Sequence, residues 1–269
     1  MFHRKLITMT TDFGYDDPFA GVMKGVIYAI NSHVNIVDLT HNITPWNIQE
    51  AAFTIGMNYH YFPKESVHLV VVDPEVGSGI RPLLVVADEH YFIGPDNGVF
   101  SYLYKLAARD LKVIHITSEH LFLKNDSPTF QGRDVFSPCA AWLTTGLDVN
   151  KFGETVLDYH AIGLPSPVRL TALVLQGEVI FIDRFGNAIT NIKKTDIAEL
   201  QGMQPEGALR IFLKDRDMQL RGYYSQTENR GISALINSSG YLEFFIFRDS
   251  AASKYDILPG AVVKVVLSS

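Results

Sequence analysis

Leu6-Ile7-Thr8-Met9-Thr10-Thr11-Asp12-Phe13-Gly14-Tyr15-Asp16-Asp17-Pro18 is the stretch on which the fold turns. Its first five residues read as a strand, and after the polar turn the run from Pro18 to Ser32 places Phe19, Val22, Met23, Val26, Ile27 and Ile30 at helical spacing. That is a strand-turn-helix unit with a cluster of carboxylates at the turn. In open α/β sheets the carboxyl ends of the strands are where ligands bind.

The same alternation continues along the chain. Val34 to Leu39 reads as a second strand, and Asn47 with Glu50 three residues on makes a capping box for a helix carrying Ile48, Ala51, Ala52 and Ile55. Val67 to Val72 is a nearly continuous apolar run of strand length, the usual pattern of a strand covered on both faces, and Leu83–Ala87 with Tyr91–Ile93 reads as a hairpin-like pair. A turn at Gly94-Pro95-Asp96-Asn97-Gly98, a helix from about Val99 to Ala108, a strand at Val113–Thr117 and a helix from about Asp134 to Thr145 complete an α/β domain with a central, mostly parallel sheet. After Gly163-Leu164-Pro165-Ser166-Pro167 the texture changes. Val168–Leu175, Glu178–Asp183, Leu209–Leu213, Ser233–Asn237, Tyr241–Phe247 and Ala261–Leu267 are strand-like, with helical spacing only near Asp196–Leu200. The expectation is an α/β domain over 1–160, a linker over about 161–167, and a smaller all-β, antiparallel, barrel-like domain over 168–269.

Composition narrows the function classes. With 269 residues, 47% of them hydrophobic, the chain can bury a sizeable core in one large or two unequal domains. A net charge of −6 with no long basic run lacks the positive stripe that nucleic acid requires. The single Cys139 excludes an intramolecular disulfide and a multi-cysteine zinc site, and fits a reducing cytoplasm. Thr8, Thr10, Thr11 and Asp12 interrupt the first apolar stretch before it reaches signal or membrane-span length, so no membrane partner is expected.

Several clusters carry chemistry. Asp12 follows a strand and precedes a glycine, where a carboxylate can accept hydrogen bonds from a vicinal diol or ligate a metal; Asp16 and Asp17 can equally serve the helix N-terminus. Asp73 in Asp73-Pro74-Glu75-Val76-Gly77 sits at a strand tip in a tight turn, a place for a catalytic carboxylate or for a turn cap. Asp134 in Phe130-Gln131-Gly132-Arg133-Asp134 reads as an N-cap paired with Arg133. In the β region, Asp183-Arg184-Phe185-Gly186-Asn187 joins an acid, a ring for stacking and an amide, as an adenine pocket requires, although Asn and Gly turns are common in β domains. Trp46 beside Pro45 is either core or pocket lining.

Together, Thr11-Asp12-Phe13-Gly14, Thr44-Pro45-Trp46, Asp73-Pro74-x-Val76-Gly77, Gly94-Pro95-Asp96-Asn97-Gly98, Thr129-Phe130-x-Gly132-Arg133-Asp134, Asp183-x-Phe185-Gly186-Asn187 and Asn237-Ser238-x-Gly240-Tyr241-Leu242-Glu243 resemble the motifs of the S-adenosylmethionine hydroxide adenosyltransferases, relatives of the fluorinase and chlorinase enzymes. The motifs occur in order from residue 11 to about 252. The resemblance implies an α/β domain, a β domain and a homotrimer with substrate at the subunit interface. It implies attack of water or hydroxide on C5′ of S-adenosylmethionine, yielding adenosine and L-methionine without a metal or other cofactor. By motif matching, Asp12 and Asp17 hold the ribose hydroxyls, Trp46 lines the pocket, Phe185 and Asn187 face adenine, and Asp183 with Ser238 binds the methionine amine and carboxylate. Asp73 orients or deprotonates the water.

The chain departs from the pattern at three points. The hydrolases present an Asp, Arg, His set around the water, but here the His position is Gln131, the Arg position is Ile80 with Arg81 one residue later, and Glu75 replaces a glycine. Gln131 can hydrogen-bond water but cannot take its proton. The catalytic set implied is therefore Asp73, Arg81 and Gln131, with Arg133 as the alternative cation. The halogenases carry Tyr where this chain has Asp73, and an anionic carboxylate repels halide. Two other readings stand beside this one: a sensor that binds S-adenosylmethionine or adenosine without turnover, and a metal-dependent nucleotide or phosphate hydrolase using Asp12, Asp17, Asp38, His41 and Asp73.

Overall fold

The structure, a computed structural model, describes residues 5–107, 110–124, 127–227 and 231–268. The chain divides into two compact units, residues 1–164 and 165–269. In the first unit a seven-stranded sheet is built from β1 (Leu6–Thr11), β2 (Asn35–Thr40), β3 (Val67–Val71), β4 (Pro82–Ala87), β5 (His90–Pro95), β6 (Lys112–Ile116) and β7 (Gly153–Thr155), in the order β2-β1-β3-β5-β4-β6-β7. The sheet is mixed: β2, β1, β3 and β5 pair parallel, while β4, β6 and β7 add antiparallel pairings. The parallel part expected from the sequence is the half that carries the cleft described below.

Helices cover both faces of this sheet. α1 (Phe19–Ile30) and α4 (Ser137–Thr144) share one core with Ile7, Met9, Leu69 and Val71, whereas residues of α2 (Ile48–Asn58) and α3 (Ser101–Leu106) pack with Val70, Val72, Leu83 and Val85 on the other. Alternate residues of β3 thus feed opposite cores, which is why every residue from Val67 to Val72 is buried and all but His68 are apolar. The helix expected up to Ala108 ends earlier, and Ala108 itself lies outside the described residues. Because β1 connects through α1 to β2 on one side, and β2 crosses through α2 to β3 on the other, the strand order reverses between β1 and β3. A crevice opens at such a switch point.

The second unit is a nearly closed, barrel-like sheet. It contains β8 (Val168–Thr171), β9 (Val174–Ile182), β10 (Ala188–Lys193), β11 (Ala208–Leu213), β12 (Arg216–Met218), β13 (Leu220–Arg221), β14 (Ser233–Ile236), β15 (Tyr241–Phe245) and β16 (Val262–Ser268), with α5 (Lys194–Met203) and the short α6 (Ala251–Tyr255). Its pairings are antiparallel except β13 with β14. The single strand expected over Val168–Leu175 is instead two, β8 folding back on β9, and β9 runs straight through Gly177. A side chain at Gly177 would collide with Asn191 Oδ1 of β10, so this glycine permits close strand approach rather than marking a turn. Among the described residues no helix is long and apolar enough to cross a membrane.

Candidate active site

Two strand tips face one cleft at the β1/β3 switch point. The cleft, about 820 Å³ in volume, is lined by Asp12 and Phe13 from the end of β1, Asp73 after β3, Asp17 and Phe19 at the start of α1, and Trp46 before α2. The segment Phe130–Arg133 closes another side. Phe13, Phe19 and Phe130 contact one another with ring centroids 5.3–6.0 Å apart, giving the cleft an aromatic wall.

Asp73 is held by the turn its own sequence makes. Its Oδ1 accepts the Glu75 N–H at 3.1 Å, while Oδ2 is buried and has no hydrogen-bond donor. Burial, opposed by that backbone bond and reinforced by the negative charges of Glu75 and Asp12, pushes the Asp73 carboxyl above its ordinary value. Gln131 Oε1 is likewise buried without a donor. Two buried acceptors on one cleft, both unsatisfied, mark a place where a hydrogen-donating ligand is expected.

Asp12 does more than line the wall. Its Oδ2 accepts the backbone N–H of Trp46 at 2.8 Å, and Trp46 adopts φ +65°, a left-handed conformation that a bulky side chain rarely takes. The indole is 71% exposed in this strained posture, so Trp46 is a pocket residue and not core.

The Gln131 loop owes its shape to a proline. Asp134 is not the N-cap of a regular helix: Gly132–Phe136 form a wide i→i+5 turn leading into α4, where Pro138 sits in the first turn. Pro138 has no N–H to offer the Asp134 carbonyl, which accepts instead from Leu123 N at 2.8 Å. A Cβ on Gly132 would lie 3.1–3.4 Å from Met23, Phe130 and Val71, so a larger residue would have to push these side chains back by a few tenths of an ångström. The turn presents Arg133 to the cleft, its guanidinium bonded to both Asp134 oxygens at 2.6 and 2.8 Å and lying over Phe130 at 5.3 Å.

Arg81 is placed apart from this cleft. It does not line the cleft. At the start of β4 its guanidinium bonds Asp96 Oδ2 at 2.6 and 2.9 Å, and both oxygens of Asp158 at 3.0 and 3.2 Å, fastening the 156–162 segment to the sheet. Two carboxylates satisfy its planar fork where no third partner is needed. The metal constellation is not formed either: among the described residues no three His, Cys, Asp or Glu side chains group to hold an ion. Asp38 and His41 are instead bonded to Lys24 and Thr11.

A second cleft, about 630 Å³, lies within the β unit and is lined by Asp183, Phe185, Asn187, Tyr224 and residues 246–250. Asp183 shapes it by accepting from Phe185 N, Asn187 N and Asn187 Nδ2, each at 2.9 Å. Gly186, at φ +80°, lies against Ser250 where a Cβ would clash. The Phe185 ring is left 77% exposed. Ser238 is exposed in the turn after β14 and is not among the residues lining this cleft. Sequence reasoning missed Tyr224, whose hydroxyl donates to the buried Glu243 at 2.8 Å while Asn237 Nδ2 donates to that carboxylate's other oxygen at 3.0 Å. No motif flags Tyr224; only Glu243, buried and charged, could have asked for a partner.

Comparison with known proteins identifies the family. Residues 7–153 match the family model of the SAM hydroxide adenosyltransferase N-terminal domain, and residues 177–264 match that of its C-terminal domain. A Methanocaldococcus jannaschii protein named (R)-S-adenosyl-L-methionine hydrolase is 32% identical over 266 residues, covering 94% of this chain and 92% of its own. A Thermus thermophilus protein of the same name is 31% identical, covering 95% and 97%. A fluorinase from an Actinoplanes species is 25% identical over 97% of each chain. The crystal structure of a conserved Thermotoga maritima protein superposes with a TM-score of 0.87 at 28% identity, covering 97% of this chain and 99% of that one. With two family models spanning both units and a hydrolase relative aligned over nearly its whole length, the chain belongs to the SAM hydroxide adenosyltransferase family.

Proposed function

We propose that this protein is an enzyme that hydrolyses S-adenosyl-L-methionine, water or hydroxide attacking the ribose C5′ to release adenosine and L-methionine. The C5′–O bond forms as the C5′–S bond breaks, the bonding pair leaves with sulfur, and the proton of the attacking water passes to a base. The observation that carries the reading is the buried Asp73 Oδ2, a carboxylate oxygen without a donor at the switch-point cleft of a chain from this family. Its raised pKa makes it the better base near neutral pH. Gln131 positions the water, and Arg133 is the cation that borders the same cleft.

Charge vanishes along this path, because a sulfonium and a hydroxide become neutral sulfide and alcohol. Withdrawing solvent therefore raises the energy of the separated charges more than that of the transition state, and the wall of Phe13, Phe19 and Phe130 supplies such a surface. Asp12, with one oxygen committed to Trp46, offers the other to the ribose, aided by Asp17. Phe185 and Asn187 take adenine, and Asp183 the methionine amine.

Reaction in ¹⁸O-labelled water tests the proposal. Both sulfonium epimers are supplied, since the relatives are named for the (R) form. The label is expected in the 5′-hydroxyl of adenosine, excess chloride is expected to give no chlorinated nucleoside, and a chelator is expected to leave the rate unchanged. Tight binding without product would favour the sensor reading. Loss of activity in chelator would favour a metal hydrolase.

The reading extends to a homotrimer, working in the cytoplasm, in which the aromatic cleft of one subunit is completed by the β-unit cleft of its neighbour. Trp46 and Phe185 support it, since two rings more than 70% exposed are surfaces that await a ligand or a partner. Sedimentation under assay conditions is expected to give the mass of three chains. A monomer with full activity would overturn this assembly.

A further inference from the structure

The turn that carries Asp12 is tied down from beneath by residues that do not line the cleft. Thr11 Oγ1 lies 2.8 Å from His41 Nδ1 and accepts the Phe13 N–H at 3.3 Å. The His41 carbonyl accepts Gly14 N–H at 2.7 Å. His41 therefore grips the chain on both sides of Asp12. Its Nε2 approaches Asp38 Oδ1 at 3.1 Å, off the line of a good hydrogen bond, and Asp38 Oδ2 accepts from Lys24 Nζ at 2.6 Å.

Proton placement follows from these contacts. A ring nitrogen facing a carboxylate carries the hydrogen, so Nε2 is protonated and Nδ1 of the neutral imidazole is an acceptor. The Thr11 hydroxyl must then donate to Nδ1, leaving its oxygen to accept from Phe13. The nearby Asp38 carboxylate favours this tautomer, and the tautomer sets the direction of the Thr11–His41 bond. Thr11 and His41 are fully buried, so neither touches a ligand in the cleft.

We infer that Lys24, Asp38, His41 and Thr11 form a positioning relay that aims the Asp12 carboxylate, and through its bond to Trp46 the indole, at the substrate's ribose. The inference rests on the hydrolase reading, in which Asp12 receives the ribose hydroxyls. Lys24 lies on α1, Asp38 on β2 and Thr11 on β1, so the relay joins the three elements that meet at this corner of the cleft.

β1 contains a matched control for the test. Thr8 Oγ1 lies 2.7 Å from His68 Nδ1, equally buried, three residues away and outside the cleft lining. Thr8→Val and Thr11→Val each delete a buried hydroxyl–imidazole bond from the same strand, and Thr11→Val also removes the acceptor of the Phe13 N–H. Thr11→Val is expected to raise KM and the Kd for adenosine about five- to tenfold, the size of the lost buried bond to His41 with a small addition from the longer bond to Phe13 N–H, and to leave kcat within about threefold of wild type. Thr11→Ser is expected to restore both. Thr8→Val is expected to lower Tm by about 2–4 °C and leave KM and Kd unchanged. Should Thr11→Val fail to fold, Lys24→Met at the partly exposed end of the relay is expected to raise the same two constants about two- to threefold.

Wild-type KM and Kd in both relay variants would overturn the inference, and so would a Thr8→Val variant that raises them as much as Thr11→Val. A wild-type protein without turnover would instead sink the hydrolase reading, while the adenosine Kd series still decides the relay.

Discussion

Asp73→Asn is expected to lower kcat by a factor of about 10² to 10⁴, the usual contribution of a positioned base. Asn keeps the shape of Asp and can still accept the Glu75 N–H through its amide oxygen, so the turn survives. What it cannot do is take a proton from water. In the wild type, burial and the neighbouring charges of Glu75 and Asp12 raise the Asp73 pKa, so activity should be lost on acidification at a pH above the ordinary carboxylate range. That acid limb should disappear in Asp73→Asn. Gln131 contributes by placing the water: Gln131→Ala should lower kcat, and Gln131→His should raise it or leave it unchanged, since a second proton acceptor would be restored beside Arg133. Single-turnover rates across the pH range check both residues. An Asp73→Asn variant as fast as wild type would remove Asp73 from the chemistry.

The parts of this site that the sequence makes legible are those written in local periodicity. Strand β1, the acidic turn and helix α1 follow from the change of apolar period at Asp12, and Asp73 is placed by an apolar run ending in Asp-Pro. What the sequence does not disclose depends on partners remote in the chain. Arg81 resembled a site cation by spacing, but Asp158, far along the chain, decides where its guanidinium goes. Trp46 could not be assigned to core or pocket, because its left-handed backbone is held by a carboxylate 34 residues earlier. Strand β10 has no strand pattern in the sequence because it carries buried Thr190 and Asn191, whose polarity is satisfied only across the sheet, Asn191 Oδ1 accepting Glu178 N–H from β9. The wide turn at Gly132–Phe136 likewise needs Leu123 to take the carbonyl that Pro138 releases. Each of these is a long-range satisfaction of a polar group, for which hydrophobic pattern gives no signal.

His68 should make the α/β unit sensitive to acid, and His68→Gln should blunt that sensitivity. The imidazole is fully buried, stacked on Phe92 at 4.8 Å, with Nδ1 on Thr8 and Nε2 3.2 Å from His90 Nδ1. Burial first, and the proximity of His90 second, push its pKa from 6.5 down to about 3. Because the folded value lies below the unfolded one, this group costs nothing above pH 6.5. As pH falls below 6.5 the unfolded chain gains a proton that the fold refuses, and stability declines until the folded group also titrates near pH 3. At about 1.4 kcal/mol per pH unit, the loss reaches roughly 3 kcal/mol by pH 4.5, a large part of an ordinary folding free energy. His90, its pKa also lowered by burial despite nearby Asp88 and Glu89, acts in the same direction. Asp73 and Glu243, whose carboxyls burial raises, act in the opposite one, relieving charge as pH falls. Comparing variant with wild type cancels these common contributions. Both tryptophans, Trp46 and Trp142, lie in the first unit, so urea unfolding followed by their fluorescence reads that unit alone. His68→Gln should be less stable than wild type at pH 8, where it loses packing against Phe92, yet its unfolding midpoint should fall less steeply between pH 6.5 and 4.5. Parallel curves for the two proteins over that range would show that His68 titrates normally in the fold and is not the acid-sensitive group.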